Sequence, residues 1–441
     1  MQYCFSFSKK FIKEQILIEI IHHMNSLVFP YEIAEMRILI LFQIFALSCC
    51  DSTVKEYLDA VAKFSNENLA AQHFSSGGGN QAFQSSTLKN VDKEHFLAFK
   101  KFKDNVDFIN KDDNIPFSAA LNKFSIMTEL ERQLYTGLNV SMMEEEKEPY
   151  NLGMSTENLK ALPKSIDWVE RGAQVGIKQQ GECGSCWAFA GISAIEASYF
   201  QVTGELKSFS EQELLDCTYE GSNRDGCDGG WLDHPINYVK KADRLALRKN
   251  TGYLGRDGPC RYRNIRNSLT EARVVGVKKF AGDKGLKEAV SKGVTTVALF
   301  VTDSFYTYDK GIYQERRCTK RPNHAITVVG YGSSKGKNFW HARNSWGTTW
   351  GEKGYMKITR DLPNHCSIAM SPFLAVMKCR KPGCKNNNRK TKCENVWPDF
   401  YCNASGYYCR RQKEGKDKEF QIKLQKNCRK SCNFCDSNSS F

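Results

Sequence analysis

No apolar run in this 441-residue chain is long enough to cross a bilayer. The longest, ILILFQIFAL, has about 10 residues, where a span needs roughly 20. It follows Met36-Arg37 and precedes Ser48 and Cys49, so residues 36–52 read as a signal peptide. Its start lies 35 residues into the chain, which makes residues 1–35 a candidate gene-model extension; a signal anchor and a buried helix are the rival readings. There is no HExxH and no CxxC…CxxC set at zinc spacing, so no metal and no cofactor is expected. There is no internal repeat, which argues against a solenoid. Apolar residues are somewhat scarce at 41%, yet ample for a packed core.

Cysteine is plentiful instead. Eighteen cysteines, eight of them within 379–436, point to an oxidising compartment. The expected location is the secretory pathway, lysosomal or extracellular. Sequons at Asn139, Asn403 and Asn438 agree weakly. The net charge of +14 is uneven: residues 379–436 hold 15 Lys or Arg against 6 Asp or Glu, a surplus of 15 − 6 = 9. A basic tail fits an anionic surface, a glycan or a receptor, or simply a solvated face. Nucleic acid is not expected.

Along the chain, residues 53–75 are polar and helix-compatible until Ser75-Ser76-Gly77-Gly78-Gly79 forms a linker. Phe96, Phe99, Phe102, Val106 and Ile109 recur every three or four residues, predicting an amphipathic helix over 92–111. Residues 116–134 read as an extended piece followed by a helix. The acidic run Glu144-Glu145-Glu146-Lys147-Glu148 before Pro149 reads as an exposed loop suited to proteolysis. From 162 to 377, helical patterns come first and strand-like ones later (Ile326–Gly330, Tyr355–Ile358), an α+β layout. The last region, 379–436, has too little apolar content for a core and must rely on disulfides.

Chemistry concentrates around Cys186. A nucleophilic thiol must be ionised, and a helix N-terminus stabilises the thiolate. Cys186 stands where Gly184-Ser185 ends and a helical pattern (Ala188, Ile192, Ile195, Tyr199) begins. His324 opens a strand-like run 138 residues downstream and can act as the base, lowering the thiol pKa further by pairing with it. Asn344 can accept from the imidazole and fix its orientation, with Trp346 covering that hydrogen bond. Gln180 and the Cys186 backbone N–H are candidate donors to a developing oxyanion. His234 and His341 read as structural. Cys183-x-x-Cys186 also fits a thioredoxin-like redox pair, but its surroundings supply an oxyanion donor and a His–Asn pair instead.

Four segments in order, QGECGSCWAF, GCDGGW, NHAITVVGYG and RNSWGTTWGEKGY, resemble the papain and cathepsin L family of cysteine peptidases. The resemblance covers 162–377 and, more loosely, the region before it. It implies a papain-like two-lobed fold, with a helical left lobe and a β-barrel right lobe, plus a helical prodomain. It implies endopeptidase action on proteins or peptides through Cys186, His324, Asn344 and Gln180. Residues 53–161 would be a propeptide acting as the enzyme's own inhibitor, with the inhibitory prodomain over about 92–150 and a mature start near 161–163. Within it, Glu94, Phe102, Asn105, Ile109, Asn122 and Phe124 match the family pattern. Ala98, Asp113, Ala120 and Ile126 do not, which places a normal pH-triggered release in doubt. The family pattern pairs Cys183 with Cys227, Cys217 with Cys260 and Cys318 with Cys366, leaving Cys186 free. Gly229 and Gly230 resemble residues that pair with substrate backbone. Trp231, Leu232, Ala325 and Ser371 would line an uncharged pocket for a bulky apolar residue two before the cut. Thr251-Gly252-Tyr253 replaces the usual Tyr-Pro-Tyr, a change expected to touch packing. No insertion like the cathepsin B occluding loop is present.

The tail over 393–435 resembles a ShK-toxin-like (ShKT) domain, a small disulfide-rich C-terminal module. By that analogy Cys393 pairs with Cys435, Cys402 with Cys428 and Cys409 with Cys432; sequence alone allows 15 connectivities. Asn395 stands where Asp is usual and the 410–427 loop is long. Cys379 and Cys384 can bridge across a turn. The rival to an enzyme is a binding or toxin-like protein on a peptidase scaffold, and the complete Cys186, His324, Asn344 and Gln180 set argues against it.

Overall fold

A computed structural model describes residues 52–73, 93–138, 162–220, 223–315, 318, 321–381 and 384. The leader, the glycine linker, the acidic run, the sequons, the exact mature start and the 393–435 module lie outside the described residues. Helix α1 (Ser52–His73) straddles two compact units, 1–59 and 60–441; the site lies wholly in the second. No described helix is long and apolar enough to cross a membrane.

Helix α2 (Lys93–Lys111) buries Phe99, Phe102, Val106 and Ile109, while Phe96 is half-buried. The three-to-four spacing puts them on one face, as the 3.6-residue turn requires. The Asn110 carboxamide then ties the helix to Ala119 through two 2.9 Å hydrogen bonds. Strand β1 (Phe117–Ala119) follows, then a 3-10 turn (Lys123–Ile126) capped by Asn122, then α3 (Glu129–Gln133). The Thr128 and Glu131 side chains form a reciprocal capping box on α3. Its start is fixed locally, so the chain after it leaves in a set direction.

The remainder begins with β2 (Ile166–Asp167) and the helix α4 (Cys186–Thr203), which ends on the left-handed Gly204. Next come α5 (Glu211–Cys217), β3 (Tyr219–Glu220), β4 (Asn223–Arg224), α6 (His234–Ala242) and α7 (Arg248–Thr251). Then follow β5 (Ala272–Lys279), α8 (Gly282–Lys292), β6 (Thr295–Leu299), α9 (Asp303–Thr307), β7 (Tyr308–Tyr313), β8 (His324–Ser334), β9 (Lys337–Arg343), β10 (Tyr355–Thr359) and β11 (Phe373–Cys379). The sheet runs β1-β7-β10-β9-β8-β6-β11-β5, with β2 on β8. All neighbours are antiparallel except β7 and β10. Among the described residues the pairing is an open path, and one edge strand, β1, comes from the segment before residue 139.

Two apolar clusters result. One gathers α4, α5 and α6 with Trp231, β5 and β11. The other lies on the sheet with α8 and α9, and takes in Phe102, Phe117, Phe124 and Tyr135 of the N-terminal segment. Helix α4 differs from its amphipathic reading: residues 186–199 are buried on every side. A helix wedged between two packed bodies has no solvent face to leave polar. Ser198 even donates its hydroxyl to Ala375 O of β11, at 3.0 Å. Three disulfides link Cys183–Cys227, Cys217–Cys260 and Cys318–Cys366, and a fourth joins Cys379 to Cys384. Among the described cysteines Cys186 alone is free.

Candidate active site

The α4 N-terminus places Cys186, and β8 begins at His324. The thiol lies against the backbone amides of Ala325, Gly137, Trp187 and Cys186 itself. His324 Nε2 donates to Asn344 Oδ1 at 2.9 Å, and Ser345 N donates to the same oxygen at 2.8 Å. That second donor fixes which way the Asn344 carboxamide points. Trp346 covers the pair, its ring 4.8 Å from the imidazole. His324 Nδ1 is buried and has no hydrogen-bond partner among the described residues. A thiol at a helix N-terminus, with an imidazole oriented by a carboxamide, can perform nucleophilic catalysis on a carbonyl.

Electrostatics here run opposite to the sequence expectation. Burial pushes the Cys186 thiol up to about 12, outweighing the amides that favour thiolate. Burial also pulls His324 down to about 4, against the raising effect of the Asn344 hydrogen bond. The cause is a cover. After a turn at Leu134–Tyr135, residues 136–138 cross the site. Gly137 N and Leu138 N both donate to Asn323 O, at 3.2 and 3.1 Å, and Gly230 N donates to Gly137 O at 3.1 Å. Leu138 forms a parallel bridge with Gly230. Burial under the cover therefore favours the neutral form of both groups.

Gln180 is held from both ends. Its Oε1 accepts from Ser345 Oγ at 2.6 Å, and its Nε2 donates to Tyr135 O at 3.1 Å and Cys183 O at 2.8 Å. Trp346 Nε1 also donates to Tyr135 O, at 3.1 Å. The covering carbonyl thus occupies the donor that a reacting oxygen would need. Phe124 anchors the cover: its ring lies 4.8–5.1 Å from those of Trp346, Tyr135 and Tyr306.

Gly229 has φ +117, and a Cβ there would come 2.7 Å from Gly137 O. Trp231, Leu232 and Ala325 share an apolar cluster with Cys186 and Trp187. Ser371 is buried at the start of the segment leading into β11. Among the described residues, one group offers metal-ligand atoms, Cys318, His365 and Cys366, and its two sulfurs are bonded to each other. His341 pairs with Asp167 across β9 and β2 at 3.0 Å, a structural tie.

Three contributors escaped the sequence reading. Tyr253 Oη donates to Gln180 O at 2.7 Å and meets Ser185 Oγ at 2.7 Å, so the altered Thr251-Gly252-Tyr253 segment steadies both flanks of Cys186. Ser345 orients Gln180, and its place inside the RNSWG segment was the available signal. Lys178, mostly covered, lies between the buried Glu196 (2.7 Å) and Glu211 (2.5 Å), two residues before Gln180. Burial and the nearby Glu211 raise the Glu196 carboxyl, while Lys178 opposes that shift.

Residues 162–376 match the family described as papain family cysteine protease. The chain is 36% identical over 262 residues to cathepsin L of Sarcophaga peregrina, spanning 58% of this chain and 77% of that protein. This chain belongs to the papain family of cysteine proteases. The solved structure of recombinant stem bromelain precursor is similar, with TM-score 0.62 and 28% identity over 74% of this chain and 99% of that one. Digestive procathepsin L 3 of Tenebrio molitor gives TM-score 0.59 and 26% identity over 73% and 99%. Both are precursor forms, and in this protease the segment 93–138 packs on the region 162–381.

Proposed function

We propose that this protease is the zymogen of an endopeptidase in which Cys186 is the nucleophile and His324 the proton carrier. Once the cover leaves, water and the charged partner favour the thiolate and imidazolium. The thiolate attacks the scissile carbonyl carbon, and Gln180 Nε2 and the Cys186 N–H hold the oxyanion. His324 gives its proton to the leaving amine, forming an acyl-enzyme. It then takes a proton from water, whose oxygen attacks the thioester and releases the acid with the thiol restored. The observation carrying this reading is the 2.9 Å His324–Asn344 hydrogen bond beside a free Cys186 at a helix start.

The uncharged lining of Trp231, Leu232, Ala325 and Ser371 supports a bulky apolar residue two before the cut. The cathepsin relatives and the disulfides support a secretory-pathway location, lysosomal or extracellular. The 393–435 region is proposed as a ShKT-like module that binds an anionic surface, glycan or receptor.

The test is the full chain acidified under mild reduction and assayed on a fluorogenic peptide with Phe two residues before the cut. Cleavage should vanish in Cys186→Ser and in the presence of a thiol-directed epoxide. Processing without any Cys186-dependent cleavage across a broad peptide library would overturn the reading.

A further inference from the structure

From sequence His234 reads as structural; its surroundings place it behind the cleft. His234 Nδ1 donates to Asp225 Oδ2 at 2.6 Å, and the two side chains are only 9% and 7% exposed. Two polar groups this dry must satisfy each other, so the short hydrogen bond holds its two ends firmly together. His234 opens α6; Asp225 precedes the Gly226–Gly230 segment. A Cβ built on Gly230 would lie 3.0 Å from Asp225 Cγ and 2.6 Å from the Trp187 ring. The carboxylate therefore backs onto Gly230, whose N–H donates to a peptide carbonyl, Gly137 O, at 3.1 Å.

The other supports of this loop act further along it. Trp187 Nε1 donates to Gly226 O at 3.1 Å, Asp257 Oδ1 accepts from Cys227 N at 2.9 Å, and the Cys183–Cys227 disulfide pins the middle. The glycine pair after it has no side chain of its own to hold it in place. Its rear wall is Trp187 and Asp225.

From this we infer that Asp225 and His234 are positioning residues that set peptide affinity by holding Gly229–Gly230 at the cleft edge. They act through backbone and carry no proton of the reaction, so their removal changes binding rather than turnover. The inference rests on the proposed role of Gly229–Gly230 and of Cys186.

The experiment compares processed parent protein with H234A, D225N, and the paired variant D225N/H234Q, which keeps a neutral hydrogen bond. Active enzyme is counted by epoxide labelling of Cys186, and KM and kcat are measured on one fluorogenic peptide. H234A should raise KM about five- to tenfold with kcat per labelled site within about twofold, from a lost buried hydrogen bond. D225N should raise it less, and D225N/H234Q should return it to within about twofold of parent. If H234A does not fold, D225N and the paired variant carry the comparison. An unchanged KM in folded variants overturns the inference, as does a kcat that falls in step with kcat/KM. A parent protein with no labelled Cys186 overturns the catalytic reading itself, a separate result.

Discussion

Gly137→Ala should unlatch the zymogen. A Cβ on Gly137 would lie 2.0 Å from Gly184 O and 2.3 Å from Gly184 C and Cα. These are backbone atoms, so no side-chain rotation can relieve the clash. Gly184 cannot retreat, because its N–H donates to Cys227 O at 2.8 Å in a disulfide-pinned loop. The covering segment must therefore lift away. It loses the Gly230–Gly137, Gly137–Asn323 and Leu138–Asn323 hydrogen bonds. At about 1 kcal/mol net each, that is about 3 kcal/mol, or roughly a hundredfold in occupancy of the covered state. The assay is the second-order rate of Cys186 labelling by a thiol-directed epoxide in unprocessed chain at neutral pH. The control is Gly176→Ala, where a Cβ meets nothing within 4 Å. G137A should label roughly a hundredfold faster than either G176A or parent. A rate within about threefold of parent would refute the steric argument.

Asn344→Ala removes the sole acceptor seen for His324 Nε2 among the described residues, a bond to a group that becomes charged; kcat of processed enzyme should fall about ten- to a hundredfold with KM little changed. In Cys186→Ser chain, where no thiol exchanges a proton with His324, acid should release the cover even though Ile126 stands where the family carries Asp. His324 is depressed to about 4 when covered, so without the thiol the uncovered form binds more protons, and the covered state loses stability as pH falls from about 6.5 towards 4. Labelling of Cys186→Ser chain with a prodomain-directed probe should report opening across that window, and a His324→Gln version should shift or flatten it. Lys178→Met strands the buried carboxylate of Glu196, while Glu211 keeps its pair with Arg248, so thermal unfolding should show a loss of about 3–5 kcal/mol; a drop below about 1 kcal/mol would count against the buried-pair account.

The chemistry was legible because it is written in short contiguous segments. Cys186 follows Gly184-Ser185 at a helix start, and Asn344, Ser345 and Trp346 are consecutive. Helix α2 was legible because its apolar spacing has one solvent face to contrast with. What the sequence hid is long-range. The pairing of Phe117 with Gly311, the landing of Tyr135 O between Gln180 and Trp346, and the depth at which α4 is buried leave no local periodicity. The direction of the Cys186 shift was hidden for the same reason: it depends on a cover from residues 135–138, some 50 positions away.

The strand β1 has a consequence for solubility after activation. If, as proposed, the segment before residue 162 is cut away, β7 loses its neighbour β1 and becomes a bare sheet margin, the kind of surface on which other chains can stack. That margin carries Asp309 and Lys310, then Gly311 at φ +96. Adjacent charges and a left-handed residue make a poor template for a foreign strand. A processed form would thus carry a newly uncovered border already guarded against self-association.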